Sequence, residues 1–359
     1  MKTKLVITAI IIIVAFYLFP FQKNVKTEKT EKREAFLPLN LPDKKITNDI
    51  GKWYESSKIR SEVQKRVSKR NFDELEKMVH EARSKKLIFK NLNSVLLYLY
   101  NTIPGLLSSY EELYEFVDEW RRHSPQSNIP DIIEARAFKV TAWDIRGSEM
   151  GDKISKKRYD DFKKHLSRAS ESITLAAKKG PIDSVICKVQ TELAFALSES
   201  KKLAKEYFDK CKKIDPRYIP LYYTMRTHLQ EKWYGSDEEL LKFVEESADA
   251  TNHIYGDGLY ALLVYSHTRD TNKIFIEDGG LFSWNRTRRG FRDILEKYGR
   301  SSYILHGYGN LAMSVNDHKA FAEVLNETGT EWNQEKERYY RNQLFYNDHL
   351  SKAKTYLNQ

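Results

Sequence analysis

Two tryptophans and an arginine are the residues of this sequence best suited to anchor a ligand. Trp143 and Arg146 lie just before Gly147, and Trp233 lies shortly before Ser236. A tryptophan beside an arginine can hold a peptide or an anionic ligand through stacking and cation–π contact. The same residues can instead pack between helices, with Gly147 as a helix C-cap and Ser236 as an N-cap. The pattern favours packing and leaves ligand binding by Trp143, Arg146 and Trp233 as a hypothesis.

The two cysteines are the other residues whose spacing suggests chemistry. Cys187 and Cys211 are almost equally far from a turn expected near Glu199 and Ser200, within a predicted helical hairpin over Asp183–Ile214. Facing positions on antiparallel helices permit a disulfide in an oxidising compartment, provided that the helices approach closely. The alternative is a pair of small apolar residues at a tight helix crossing, a role that cysteine fills well. The sequence leaves both interpretations open.

Patterns for catalysis, metal binding or cofactor binding are missing from the sequence. The nine histidines form neither an HExxH motif nor a pair four residues apart, and no CxxC pair is present. The sequence also lacks a phosphate-binding glycine loop and a GxSxG nucleophile motif. It therefore predicts no metal, no cofactor and no catalytic residue. An enzyme whose residues converge only in the folded chain, in a cleft near Trp143, Arg146 and Trp233, is the alternative.

Composition favours a helical protein that does not bind nucleic acid. The chain has 359 residues, of which 31% are charged, with only 15 glycines and 9 prolines to form tight turns. The net charge is +10, but lysines and arginines are spread along the chain and mixed with acidic residues. A nucleic-acid-binding domain typically gathers its positive charge on one face or in a known motif. The diffuse charge instead indicates a solvated surface with some attraction to anionic membranes.

Apolar residues recur at helical spacing from about residue 50 onward. Ile59, Val63 and Val67 repeat every fourth residue, and the C-terminal part continues in the same way. The last predicted helix runs from Trp332 to Phe345. Helices of about 12 to 20 residues joined by short polar turns predict an all-α fold of antiparallel helix pairs.

One helix resembles the second helix of a tetratricopeptide (TPR) repeat. Ala204, Phe208, Cys211 and Pro216 are spaced four, three and five residues apart, which places small residues where helices cross and a proline after the helix. A helix pair of this kind cannot bury its apolar face alone and must stack on a neighbour. A strict repeat period is missing, so the pattern predicts a degenerate TPR-like array, or α-solenoid. We expect N-terminal repeats over residues 50–128 and a TPR-like domain over 129–359.

Several short segments resemble one bacterial family. In order along the chain they are Ala142–Gly147, Tyr159–Phe162, Lys232–Ser236 and Arg288–Phe291, followed by the helix Tyr303–Asn316. Together they are similar to the TPR-like proteins catalogued as domain of unknown function 4034, over about residues 129–359. Tyr234 stands where that family usually has glycine. The resemblance implies an all-α repeat fold and brings no established activity or catalytic residue.

The N-terminus carries an export signal. Lys2 and Lys4 precede an apolar run over residues 5–21, and no small-x-small cleavage pattern follows Ala15. This favours an uncleaved anchor in a bacterial inner membrane, with the body in the periplasm; a cleaved signal peptide that releases the protein into the periplasm is the alternative. Residues 22–49 are polar and charged, then carry two prolines, and are predicted to be a flexible tether. The expected function is a non-enzymatic, envelope-bound scaffold that binds another envelope protein or a peptide segment.

Overall fold

A computed structural model describes residues 56–357 except 90, 150–152, 198–200, 234, 272–279 and 341. All described residues belong to one compact unit. The predicted anchor (5–21), the tether (22–49), the turn near Glu199 and Ser200, and Tyr234 lie outside the described residues. No helix among the described residues is long and apolar enough to cross a membrane.

The described part of the chain is all-α, which confirms the all-α part of the predicted fold class. It contains no β-strand, only one isolated antiparallel bridge between Ile88 and Ser94. Short 3₁₀ helices cover Pro104–Leu106 and Lys354–Tyr356. The α-helices are α1 (Ser56–Val67), α2 (Phe72–Ser84), α3 (Val95–Thr102), α4 (Tyr110–His123), α5 (Ile129–Arg146), α6 (Lys156–Lys179), α7 (Ser184–Ala196), α8 (Lys201–Ile214), α9 (Ile219–His228), α10 (Asp237–Ala250), α11 (Asn252–Tyr255), α12 (Gly258–Thr271), α13 (Trp284–Tyr298), α14 (Ser302–Ser314), α15 (His318–Thr328), α16 (Gln334–Tyr340) and α17 (Gln343–Ala353).

Capping residues fix several helix ends where the sequence predicts them. The Asp183 carboxylate accepts two backbone N–H bonds at the start of α7. The Ser236 hydroxyl accepts from the backbone N–H of Glu239 at the start of α10, as expected for an N-cap. Gly147 ends α5 with φ of +70° and donates its N–H to the Trp143 carbonyl. That left-handed conformation is one that glycine adopts without steric cost.

Helices that follow each other in the chain form the closest pairs: α5 with α6, α7 with α8, α12 with α13, and α14 with α15. The first helices of these pairs, together with α9, also contact one another in order, α5 with α7, α7 with α9, α9 with α12 and α12 with α14. A first helix such as α7 buries residues on all sides, whereas its partner α8 buries only Ala204, Phe208 and Cys211. The first helices are therefore covered by neighbours on several sides, and the second helices keep one solvated face.

A buried polar cluster ties the N-terminal helices to this arrangement. The Arg83 guanidinium on α2 lies 3.0 Å from the Asp183 carboxylate at the start of α7. It also donates to the Tyr100 hydroxyl on α3 at 2.8 Å and to the side-chain oxygen of Asn128 at 3.0 Å. Because these partners come from distant parts of the sequence, the cluster fixes α2 and α3 against α5 and α7.

The C-terminal helices differ from the sequence prediction. The single helix expected over Trp332–Phe345 is two helices, α16 and α17. Asn342 separates them, because its side chain accepts from the backbone N–H of Phe345 and starts a new helix. Asparagine favours such caps over helix interiors. The apolar spacing alone did not reveal this break.

Candidate ligand-binding site

The two tryptophans of the sequence hypothesis lie together in the folded chain. The ring centroids of Trp143 and Trp233 are 6.4 Å apart, with an edge-to-face angle of 84°. The Arg146 guanidinium lies 5.7 Å from the centroid of the Trp143 ring. Trp143 is half-buried against Phe162 of α6, at 5.1 Å, whereas Trp233 is 38% exposed. Three side chains separated by up to 90 residues in the sequence thus form one aromatic and cationic group.

Local backbone structure explains why Trp233 reaches this position. The chain turns tightly after α9, and the N–H of Trp233 bonds to the Gln230 carbonyl at 2.9 Å. A Cβ added at Gly235 would lie only 2.0 Å from the Leu229 carbonyl oxygen. Glycine is therefore required for this turn to close against the end of α9.

The aromatic group extends to α7 through a histidine. The His228 ring stacks on Phe195 with centroids 3.9 Å apart, and lies 6.2 Å from Trp233. Burial lowers the pKa of His228 to about 4, with smaller effects from nearby charges. The imidazole is therefore neutral at physiological pH. In this aromatic row, formed by Trp143, Phe195, His228 and Trp233, the positive charge comes from Arg146 beside Trp143.

A cation-rich cluster lies directly beside the aromatic row. Glu192 of α7 accepts from Lys139 of α5 at 2.6 Å and from Lys188, one turn earlier on α7. Arg136, one turn before Lys139, adds a third positive charge that acts on Lys188. Lys139 and Lys188 thus share one carboxylate with a third cation nearby, and all four side chains are largely or fully withdrawn from solvent.

This excess of positive charge is reflected in the titration of the cluster. Burial lowers the pKa of Lys188 to about 8, and the charges of Lys139 and Arg136 act in the same direction against the ion pair with Glu192. Burial opposes ionisation of Glu192, but Lys139 and Lys188 outweigh it and hold the carboxyl pKa well below its usual range. An additional anion at this cluster would be favoured because it would relieve the repulsion between the cations.

We call the combined surface the aromatic–cationic strip; its members are Lys139, Trp143, Arg146, Lys188, Glu192, Phe195, His228 and Trp233. On α5, Lys139, Trp143 and Arg146 are spaced four and three residues apart, so one helix face presents all three. The strip combines an aromatic surface for an apolar side chain with positive charge for an acidic one. Neither tryptophan nor arginine exchanges protons near neutral pH, so the trio is better suited to binding than to acid–base catalysis.

The sequence hypothesis identified Trp143, Arg146 and Trp233 but missed the charged part of the strip. Lys188 and Glu192 are four residues apart in a helix that is otherwise almost entirely buried and apolar. Charged residues are seldom buried without partners. This pattern was a usable signal in the sequence, whereas the pairing of Glu192 with Lys139 on another helix was not.

The two cysteines face each other across the α7–α8 pair, as the hairpin predicts. Both Cys187 and Cys211 are fully buried, and both are free thiols. A hydrogen bond with the Cys187 thiol is the main cause that raises the pKa of Cys211, followed by burial. The thiols are therefore adjacent, and a disulfide between them in an oxidising compartment stays a prediction.

Among the residues that the structure covers, no group of three or more His, Cys, Asp or Glu side chains could hold a metal ion. No protein-family model, curated protein or solved structure matches this chain significantly. The similarity to domain of unknown function 4034 consequently stays a prediction, and the case for function depends on the geometry of the strip.

Proposed function

We propose that this chain is a non-enzymatic binding scaffold of the bacterial cell envelope. Its degenerate TPR-like helix pairs would present the aromatic–cationic strip to an extended peptide segment of another envelope protein. The residues 5–21 would anchor it in the inner membrane and leave the helical body in the periplasm. The observation that carries the proposal is the edge-to-face contact of Trp143 with the partly exposed Trp233, directly beside two lysines that share one carboxylate.

The chemistry of the strip suggests what the peptide contains. An aromatic or aliphatic side chain of the peptide would contact the rings of Trp143 and Trp233, which offer a large apolar area. An acidic side chain would face Lys139 and Lys188, where positive charge exceeds negative charge. Contacts of this kind, an aromatic anchor next to a charge pair, carry much of the affinity in peptide recognition.

Site-specific crosslinking in a bacterial envelope tests this function. A photoreactive amino acid replaces Lys232, which is exposed and adjacent to Trp233, in the full chain expressed in its host. A second variant carries it at Leu175, an exposed residue on α6 outside the strip, as a matched control. We expect a discrete crosslinked polypeptide from position 232 that is absent from position 175. Equal crosslinking at both positions would contradict the proposal.

The affinity of the strip can then be measured with defined peptides. The probes are fluorescein-labelled twelve-residue Gly/Ser peptides that contain one Trp and two Glu, with Lys-for-Glu and Ala-for-Trp versions as controls. We expect Trp143→Ala and Trp233→Ala each to weaken binding of the Glu/Trp peptide by about tenfold or more, since aromatic anchors dominate such interfaces. Leu175→Ala, on α6, is expected to leave the affinity unchanged. This function would be refuted if peptide affinity were the same in the Trp variants as in the parent chain and the same for the Glu and Lys peptides.

A further inference from the structure

A cavity of about 510 Å³ lies next to the strip but is separate from it. Its wall includes Pro104 and Leu107 from the segment after α3, Tyr110 of α4, and Val140 of α5. Tyr110 and Val140 are 42% and 49% exposed, so apolar side chains stand open to solvent at this cavity. Its volume lies within the range of sites that hold small organic ligands.

One wall of this cavity carries an arginine whose hydrogen-bonding capacity is mostly unused. Arg136 lines the cavity and is only 7% exposed. Its Nη2 donates to the side-chain oxygen of Asn101, whereas its Nε and Nη1 are buried and have no acceptor among the residues that the structure describes. A buried charged donor without an acceptor is unfavourable, because it has lost its bonds to water and gained none in return. Arg136 can therefore bind an acceptor that the described part of the chain does not supply.

Other polar groups of the wall are already engaged. The Ser108 hydroxyl and backbone N–H both donate to Glu112, and the Ser109 hydroxyl caps α4. The Tyr100 hydroxyl belongs to the Arg83 and Asp183 cluster. Because these groups already have hydrogen-bond partners, Arg136 is the positively charged group of the wall that still has unused donors.

The charge around the cavity favours a single negative charge on the ligand. Arg136 adds to the positive charge of Lys139 and Lys188, which share only Glu192, so an anion here relieves repulsion. Glu111 also lines the cavity and is exposed, and its carboxylate would repel a ligand with two charges. A carboxylate matches the planar guanidinium and carries less charge to remove from water than a phosphate dianion.

We propose that this cavity is a binding site for a monocarboxylate with an apolar tail, with the carboxylate on Arg136 and the tail against Tyr110 and Val140. The ligand is either a small organic acid or the C-terminal residue of a polypeptide, which share this chemistry. The site does not depend on peptide binding by the aromatic–cationic strip, because neither Trp143 nor Trp233 lines the cavity.

Calorimetric titration of the full chain in lipid nanodiscs tests this site. The probes are 3-phenylpropionate and N-acetylphenylalanine, each compared with its neutral amide. We expect at least one of the acids to bind at least about tenfold more tightly than its amide, because the ion pair with Arg136 requires a carboxylate. Tighter binding of N-acetylphenylalanine than of 3-phenylpropionate would identify a polypeptide C-terminus as the ligand class. The reverse order would identify a free organic acid.

Substitutions assign the binding to this cavity. Arg136→Met should weaken acid binding about tenfold or more, and Arg136→Lys, which keeps the charge but not the planar donor group, should weaken it less. Val140→Trp should also weaken binding about tenfold or more, because the indole takes up the space where the ligand tail would lie, independently of any change to Arg136. Arg60→Gln, which removes a charge from the exposed surface of α1, and Trp143→Ala, which acts on the strip, should both leave acid binding unchanged.

Far-UV circular dichroism and thermal unfolding establish that each variant is folded before titration. The proposal is overturned if the amides bind as tightly as the acids, if neither acid binds the folded parent chain, or if folded Arg136→Met and Val140→Trp retain the parent affinity. Loss of peptide binding by Trp143→Ala with acid binding intact would show two separate sites. Loss of both by Trp143→Ala would contradict their independence.

Discussion

Two buried charge clusters in this protein differ in how completely they are paired. In the C-terminal cluster, Arg288 and Arg292 contact Glu323, and Arg288 also approaches Asp317 at 3.4 Å. The Tyr308 hydroxyl donates to Glu323 at 2.7 Å. Two cations are thus matched by two carboxylates, with further donors on both acids.

The cluster between α5 and α7 is the opposite case. Lys139 and Lys188 share Glu192, Arg136 adds a third positive charge that acts on Lys188, and two nitrogens of Arg136 have no acceptor among the described residues. Burial of charge is costly unless partners replace the lost water. A cluster with matched partners can be explained by the fold alone, whereas excess charge and unused donors are the features on which the proposed binding sites depend.

The largest loss of stability is expected from disrupting the C-terminal cluster. Arg288→Met should lower the free energy of unfolding by about 3–5 kcal/mol, because it leaves Glu323 and Asp317 buried with fewer compensating donors. Urea denaturation followed by circular dichroism measures the change. The adjacent Arg289→Met is the control, since Arg289 is 40% exposed and its ion pair with Asp257 should contribute at most about 1 kcal/mol. Equal losses in the two variants would show that the C-terminal network is not specially important.

Removing the Glu192 carboxylate from the cluster between α5 and α7 should have the next largest effect on stability. Glu192→Gln leaves Lys139 and Lys188 without their shared counter-charge and should lower the free energy of unfolding by about 2–3 kcal/mol. Adding Lys188→Met to this variant should restore part of the loss, since it removes one of the repelling charges. Glu171→Gln, an exposed change on α6, is the matched control and should alter stability by less than about 0.5 kcal/mol. No recovery in the double variant would argue against repulsion as the cause.

His228, beside the cluster between α5 and α7, predicts that the stability of the protein depends on pH. Burial holds the pKa of His228 at about 4, below the value of about 6.5 expected in the unfolded chain. The unfolded chain therefore binds the proton more readily, so stability is complete above pH 6.5 and is lost as the pH falls towards 4. His228→Phe, which keeps the stack on Phe195, should remove about 2 kcal/mol of the stability difference between pH 7 and pH 4.5. An unchanged pH profile of unfolding in this variant would show that His228 is not the group responsible.

The smallest effect on stability is expected at Arg136, the incompletely paired arginine of the cluster between α5 and α7. Arg136→Met should change the free energy of unfolding by less than about 1 kcal/mol, or raise it, because it removes a charge that lacks full compensation in the free protein. Arg288→Met is the reference under the same denaturation conditions, because the chemical change is identical and only the cluster differs. A loss of several kcal/mol at Arg136 would mean that this arginine is structural.

The regular features of the fold could be predicted from the sequence because they depend on residues close together in the chain. The helical spacing of apolar residues indicated an all-α protein, and Gly147 and Ser236 indicated helix ends that the structure contains. The break at Asn342 was missed because a helical apolar pattern continues across it. The position of Cys187 opposite Cys211 followed from hairpin geometry, since both helices belong to one local unit.

The candidate sites required the tertiary structure because their members come from different helices. The sequence supplied the chemical types, two indoles and a guanidinium near turns, but not the contact between Trp143 and Trp233. It did not reveal that Glu192 serves two lysines on separate helices, or that Arg136 lines a cavity with unused donors. Local sequence determines which elements form, because their hydrogen bonds span a few residues. Which charges are compensated depends on packing between distant segments, and only the folded chain decides that.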